Sequence, residues 1–158
     1  MSKNALIFPT SLSYRASINE LITLNMIQAQ RMPIDELVWY HLLNYASPRR
    51  LAVGQLQLNI QSAKKEDSGP YLIFFPVNNP IRRVLLQALT RVVVRNCIAD
   101  MFGENCDQVC PSCENGGICD DVSGNCICPP GFSGIICTLE CPKAKYGEGC
   151  MHDCHCQS

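Results

Sequence analysis

Twelve of the 158 residues are cysteine, and they are where this chain could do chemistry. None precedes Cys97, and they run Cys97-x8-Cys106-x3-Cys110-x2-Cys113-x5-Cys119-x6-Cys126-x-Cys128-x8-Cys137, then Cys141-x8-Cys150-x3-Cys154-x-Cys156. Thiols at such spacing either pair with one another or hold a metal. Cys110-x2-Cys113 and the cluster His152-Asp153-Cys154-His155-Cys156 have the residue types for tetrahedral nitrogen and sulfur ligation. Structural zinc sites, however, set two ligand pairs about a dozen or more residues apart, and these cysteines are too many and too closely packed for that. The spacing therefore predicts disulfides and no metal, with His152 and His155 on a surface loop. Spacing alone leaves the connectivity open. Calcium is not expected either, because residues 94–96 and 107–109 offer too few oxygen ligands ahead of Cys97 and Cys110. Catalysis has no visible basis: of three histidines, two lie in the cysteine-rich tail, and His41 falls in a strand pattern as a structural residue. No cofactor and no enzyme activity are expected.

The elements that position these cysteines divide the chain in two. A cysteine density near one in five is a disulfide-scaffold composition, found in oxidising surroundings. Residues 1–96 are instead rich in Leu, Ile and Val and can bury an ordinary core. Charge follows the same line. Residues 1–96 carry eleven Lys/Arg against five Asp/Glu, and residues 97–158 carry two against nine, so the formal net charge of -1 hides a basic half joined to an acidic one. A basic domain can attract nucleic acid, heparan-type polyanions or an acidic protein; nucleic acid is not expected outside the cell, and no motif specifically supports a polyanion. The plainer reading makes the arginines solvated strand edges. The apolar run at 5–8 ends at Pro9, short of the about 7–15 residues of a secretory h-region, and no stretch reaches the about 20 of a membrane span. A disulfide-rich sequence of this kind is expected to be a piece of a longer protein. It has no N-x-[ST] sequon.

The run CENGGICDDVSGNCICPPGFSGIIC, residues 113–137, resembles an EGF-like module. Its Gly116, Gly117 and Gly124 suit turns with positive φ, and Phe132 is placed to pack the final loop. The resemblance implies first-to-third, second-to-fourth and fifth-to-sixth pairing, hence Cys110–Cys119, Cys113–Cys126 and Cys128–Cys137. Cys97–Cys106 would close a further small loop ahead of them, as in laminin-type and receptor repeats. FGENC at 102–106 returns as YGEGC at 146–150, an internal repeat of 44 residues. Residues 97–138 are thus expected to form one module. Residues 139–158 would begin a second, with Cys141 paired to Cys150 and with Cys154 and Cys156 left over.

Residues 18–95 alternate at period two in short stretches: Ile22, Leu24, Met26; Leu37, Trp39, His41; Leu56, Leu58, Ile60; Tyr71, Ile73, Phe75; Val92, Val94. Turn residues separate them, which predicts an all-β sandwich. Trp39, thirteen residues after Met26, stands where an immunoglobulin-like sandwich buries its strand-C tryptophan. Asp67-Ser68-Gly69-Pro70-Tyr71 has the D-x-G-x-Y spacing of the tyrosine corner. The inter-sheet disulfide would join the positions of Met26 and Ile73, and both are apolar instead, forgoing a cross-link worth about 2–4 kcal/mol. The segment between Trp39 and Leu56 looks too short for extra edge strands. Residues 81–95 could be drawn as an amphipathic helix, but three consecutive valines favour a strand over about 86–95.

A mostly β chain, with an immunoglobulin-like sandwich over 1–96 running straight into EGF-like repeats, resembles the ectodomain of the Tie receptor tyrosine kinases. The resemblance is carried by LTRVVVRNC at 89–97, FGENC, and the C-x3-C-x2-C-x5-C-x6-C-x-C-PPGFSG-x2-C run; it is looser over 1–88. In that family the second immunoglobulin-like domain also lacks the usual disulfide. The resemblance implies an angiopoietin-like protein ligand with a fibrinogen-like domain. It also implies a location on the outer side of the plasma membrane, and contacts from the segment after strand C, here Tyr45, Ser47, Arg49 and Arg50. A scavenger or matrix adhesion protein with many EGF-like repeats fits the repeat spacing equally well, and only the sandwich speaks against it.

Overall fold

A computed structural model describes residues 7–29, 34–43, 47–76, 87–98, 100–143 and 145–153. Eight strands build the sandwich: β1 (Ile7–Pro9), β2 (Ser13–Ser17), β3 (Ile22–Gln28), β4 (Val38–His41), β5 (Arg49–Val53), β6 (Gln57–Ile60), β7 (Gly69–Phe74) and β8 (Gln87–Arg95). A three-stranded sheet, β1-β3-β6, faces a five-stranded sheet, β2-β8-β7-β4-β5. The chain changes sheet at every step except from β4 to β5 and from β7 to β8, the connectivity of an immunoglobulin-like sandwich.

Alternation explains the core. Ile22, Leu24 and Met26 point inward from β3, and Leu37, Trp39, Tyr71, Ile73, Val92 and Val94 meet them from the other sheet, all within one buried cluster. Met26 and Ile73 thus sit on facing sheets in the core, where apolar side chains fill the place of a cross-link. Trp39 is fully buried and its indole N–H donates to the Gln55 carbonyl at 2.9 Å. The tyrosine corner is formed: the Tyr71 hydroxyl donates to the Asp67 carbonyl at 2.8 Å. Ser68, between them, accepts the Val94 N–H on its hydroxyl at 2.9 Å. Gly69 is required there, since its φ is +138° and an added Cβ would lie 2.9 Å from the His41 ring.

Three readings change. The interval after Trp39 does hold an extra edge strand: five residues suffice for β5, which pairs with β4 through a bulge between Trp39 and Tyr40. The sandwich also begins earlier than the alternation starts, because β1 pairs with β3 and β2 runs parallel to β8. And two of the arginines are not solvated edges. β8 is an interior strand between β2 and β7, and its Arg91 and Arg95 are 9% and 1% exposed.

The cysteine-rich part is a chain of two-residue hairpins: β9 (Met101–Phe102) with β10 (Gln108–Val109), β11 (Ile118–Cys119) with β12 (Cys126–Ile127), β13 (Phe132–Ser133) with β14 (Leu139–Glu140), and β15 (Lys145–Tyr146) with β16 (His152–Asp153). Such ladders cannot stand alone. Five disulfides join them: Cys97–Cys106, Cys110–Cys119, Cys113–Cys126, Cys128–Cys137 and Cys141–Cys150. Gly124 has φ +75° and Phe102 packed where a Cβ would project, 2.6 Å from the ring. Gly117 differs from the expectation: its φ is not positive, and it must be glycine because Cys137 Sγ lies 2.7 Å from where its Cβ would be. Cys154, His155 and Cys156 lie outside the described residues. No helix among the described residues is long and apolar enough to cross a membrane.

Candidate functional site

Two regions of the surface are built in ways that bear on recognition: the β5 edge and the junction between sandwich and first module. β5 closes one side of the five-stranded sheet. Its Arg49 opposes His41 and its Arg50 opposes Tyr40, while Leu51 is the extra residue of the bulge. Ser47, Pro48, Arg49 and Arg50 are all exposed. The arginines thus stand on a strand rather than in a loop, and Tyr45 lies outside the described residues. A bulged edge bearing two cations discourages pairing with another strand while presenting guanidinium groups to an acidic surface.

Beneath this edge lies a stiff polar support. His41 is 2% exposed, and its ring stacks on Tyr71 with centroids 4.4 Å apart. Its Nε2–H donates to the Ser68 carbonyl at 3.1 Å, which fixes the neutral tautomer. Burial pushes the imidazole below its ordinary value, with Arg49 adding to that, against the opposing pull of the Ser68 hydrogen bond and Asp67. Burial likewise pushes the Tyr71 hydroxyl well above its ordinary value. Both are structural groups whose neutral forms burial favours.

The junction turns on Asp121, a carboxylate from the EGF-like module that is 3% exposed. It accepts the Lys65 ammonium at 2.6 Å, the Asn96 N–H, and the Cys97 N–H at 3.4 Å. Lys65 comes from the 3₁₀ turn Lys65–Asp67 beside the tyrosine corner, so the corner motif also positions the module. Arg15 on β2 reaches Asp100 at 3.2 Å. Arg95 donates to the Met101 carbonyl, and the Ser13 hydroxyl donates to the Gly116 carbonyl. The opposite charges of the two halves therefore meet within the chain: Arg15, Lys65 and Arg95 reach into the junction, and Arg91 is buried. Among the described residues no group of His, Cys, Asp and Glu could hold a metal ion.

Burial alone pushes the Asp121 carboxyl up. The hydrogen bond and charge of Lys65 and the Asn96 and Cys97 N–H groups outweigh it and leave the group below its ordinary value. A depressed carboxyl stabilises the fold fully above its unfolded value, about pH 4, and loses that contribution as pH falls through the folded value. Asp121→Asn is expected to cost about 1–3 kcal/mol, mostly from imperfectly satisfied N–H groups, since Lys65 is 40% exposed and its pairing is screened. Thermal melts between pH 2 and 7 should show a weaker acid dependence in the variant. An unchanged melting temperature with an unchanged pH slope would sink this assignment.

The junction carboxylate has no sequence motif, and its partner Lys65 is 56 residues away. A second feature was half visible. Three loops end in a turn in which the cysteine N–H bonds a glycine carbonyl three residues earlier: Cys106 to Gly103, Cys137 to Gly134 and Cys150 to Gly147. FGENC and YGEGC reveal two of these in sequence, and GIIC at 134–137 is the third.

No family model matches the chain. Over 156 residues it is 33% identical to the angiopoietin-1 receptor of Danio rerio, an alignment covering 98% of this chain and 14% of the receptor. Over 58 residues, 37% of this chain, it is 53% identical to multiple epidermal growth factor-like domains protein 6 of Homo sapiens, covering 4% of that protein. Among solved structures, the N-terminal four immunoglobulin domains of Dscam1 isoform 6.9 superpose with a TM-score of 0.42 at 16% identity, covering 56% of this chain and 20% of that one. The chain spans a small part of the length of each curated relative.

Proposed function

The chain belongs with the ectodomains of the Tie receptor tyrosine kinases along nearly its whole length, and from that premise we propose that it recognises a protein ligand through its sandwich while the EGF-like modules hold that sandwich at a fixed distance and angle. The carrying observation is the exposed Arg49 and Arg50 on the bulged β5 edge, with exposed Ser47 just ahead of the strand and Tyr45 beside them in sequence. Arginine and tyrosine are favoured at interface hot spots. The ligand proposed is the fibrinogen-like domain of an angiopoietin-like protein, and the place of action is the outer side of the plasma membrane. The chain's own residues perform recognition and spacing rather than a catalytic step; kinase activity, if the parent protein has it, belongs to another region.

The test is binding of the folded chain to an angiopoietin fibrinogen-like domain on a biosensor. Reversing both charges, Arg49→Glu with Arg50→Glu, is expected to weaken binding at least tenfold, about 1.4 kcal/mol or more, without shifting the emission of the lone tryptophan, Trp39. Absence of binding by the unaltered chain would overturn the reading. A second reading is favoured by the 53% identity over 58 residues to an EGF-repeat protein: an adhesion or matrix role carried by the modules. It requires that any partner bound be insensitive to Arg49 and Arg50.

A further inference from the structure

Arg95 is a buried cation with little to answer it. At 1% exposure, it takes part in none of the ion pairs among the described residues. Its Nη2 donates to the Met101 carbonyl and lies 3.6 Å from Cys110 Sγ, while Nε and Nη1 find no partner among the described residues. Cys110 is bridged to Cys119, and a disulfide sulfur is a neutral, weak acceptor. Were the bridge open, the same position would hold a thiolate, a full counter-charge for the guanidinium. A neighbouring cation favours the thiolate, and a stabilised reduced form makes a disulfide the more readily reduced.

Three of the other bridges face carbonyl oxygens instead. Cys97 Sγ lies 3.7 Å from the Gly103 carbonyl and 3.8 Å from that of Asp121, Cys113 Sγ 3.7 Å from that of Pro111, and Cys128 Sγ 3.5 Å from that of Gly134. Carbonyl oxygens at these distances repel a thiolate. Cys119 Sγ itself faces the Asp120 carbonyl at 3.5 Å, which suits a protonated thiol. So Cys110 is the thiolate and Cys119 the thiol of the opened pair. An open cleft of about 570 Å³ between the sandwich and the module, lined by Arg15, Asp100, Cys110, Cys113 and Cys119, gives access to this bridge and to Cys113 alike, so the cation and not access sets the order.

We propose that Cys110–Cys119 is an exchangeable disulfide, the first of the five to open to a dithiol reductant, and that its opening loosens the junction. The chemistry balances. One thiolate of the reductant attacks a bridge sulfur, forming a mixed disulfide and expelling the other cysteine as thiolate. The reductant's second thiolate then displaces the remaining cysteine, so two electrons pass to the bridge and the reductant leaves as its own disulfide. The protons released by the reductant go to Cys119 and to solvent. The junction responds because the Cys110 N–H donates to the Asp100 carbonyl at 2.8 Å, and Asp100 is the partner of Arg15. This rests on the junction and is independent of the ligand edge.

The test equilibrates the intact chain in buffers of stepped reduced-to-oxidised dithiothreitol ratio. Free thiols are trapped with one alkylating label, the remainder is reduced and labelled with a heavy form, and each cysteine peptide is quantified by mass spectrometry. Cys110 and Cys119 should reach half-labelling at a ratio at least tenfold less reducing than any other pair. Earlier opening of another pair, or simultaneous opening of several, overturns the proposal on the unaltered chain alone. Arg95→Lys, which keeps the charge, should retain the order of opening, and Arg95→Gln should shift this bridge toward the others by about tenfold. An Arg95→Gln chain that folds, as read by Trp39 emission, and still opens first at Cys110–Cys119 also overturns it.

Discussion

Trp39→Ala is expected to lower the stability of the sandwich by about 3–5 kcal/mol, a large fraction of the about 5–15 kcal/mol that holds a domain of this kind together. The indole is wholly buried among Leu24, Leu37, Tyr71 and Ile73. Truncation removes its contacts and leaves a cavity between two sheets that cannot close fully, since β4 is held on both sides by β5 and β7. The variant also leaves the Gln55 carbonyl without the indole N–H it now accepts at 2.9 Å. No inter-sheet disulfide backs up the packing, because Met26 and Ile73 occupy those places. Urea denaturation followed by far-ultraviolet circular dichroism measures the effect, the fluorophore being lost. Trp39→Phe, which keeps an aromatic ring but drops the N–H, should cost clearly less. A Trp39→Ala midpoint corresponding to under about 1 kcal/mol would mean that the sheets are held by something other than this core.

What the sequence made legible follows from how local each signal is. Trp39 and the Asp67-to-Tyr71 corner are read within a few residues, and the structure puts them at the centre and corner of the sandwich. The β8 strand emerges from its valines despite a helix-like spacing upstream. β5 was missed because Arg49–Val53 carries no clean alternation; its bulge breaks the period of two on which the reading depends. β1 and β2 were missed because they are short and rich in Ser and Pro, and are stabilised by partners elsewhere in the chain. The buried Arg91 and Arg95 contradict their residue type, and only the position of β8 inside the sheet and the module packed on its end explains them. Asp121 shows the same limit more sharply. An acidic half and a basic half can be counted in sequence, but which carboxylate meets which ammonium is a tertiary fact. The charge asymmetry that suggested an outside polyanion is in part the chemistry of the chain's own elbow.

Replacing both Cys128 and Cys137 by alanine is expected to unfold the first EGF-like module while leaving the sandwich standing. Closing a loop of this separation, 9 residues, restricts the unfolded chain by about 2.6 kcal/mol, and removal of a native bridge from so small a unit costs about 2–5 kcal/mol. Little else holds it. Ile118, Cys119, Cys128 and Cys137 account for much of its buried apolar surface, so the sulfurs are the core, and a module of this size has too little of one without them. Cys137 is fully buried and packs on Gly117 so closely that no side chain fits there. Around it the Glu114 N–H bonds the Ile136 carbonyl at 2.9 Å and the Asn115 amide bonds the Cys137 carbonyl at 2.9 Å. These bonds tie the segment of the first bridges to the last loop and would go together with the disulfide. The sandwich keeps its packing around Trp39, so hydrogen exchange should show protection lost over 113–140 but retained in β3, β4, β7 and β8, with tryptophan emission unchanged. Loss of protection in both parts at once would mean that the junction at Asp121 couples them into one cooperative unit. Retained protection over 113–140 would mean that the module has a source of stability beyond its sulfurs.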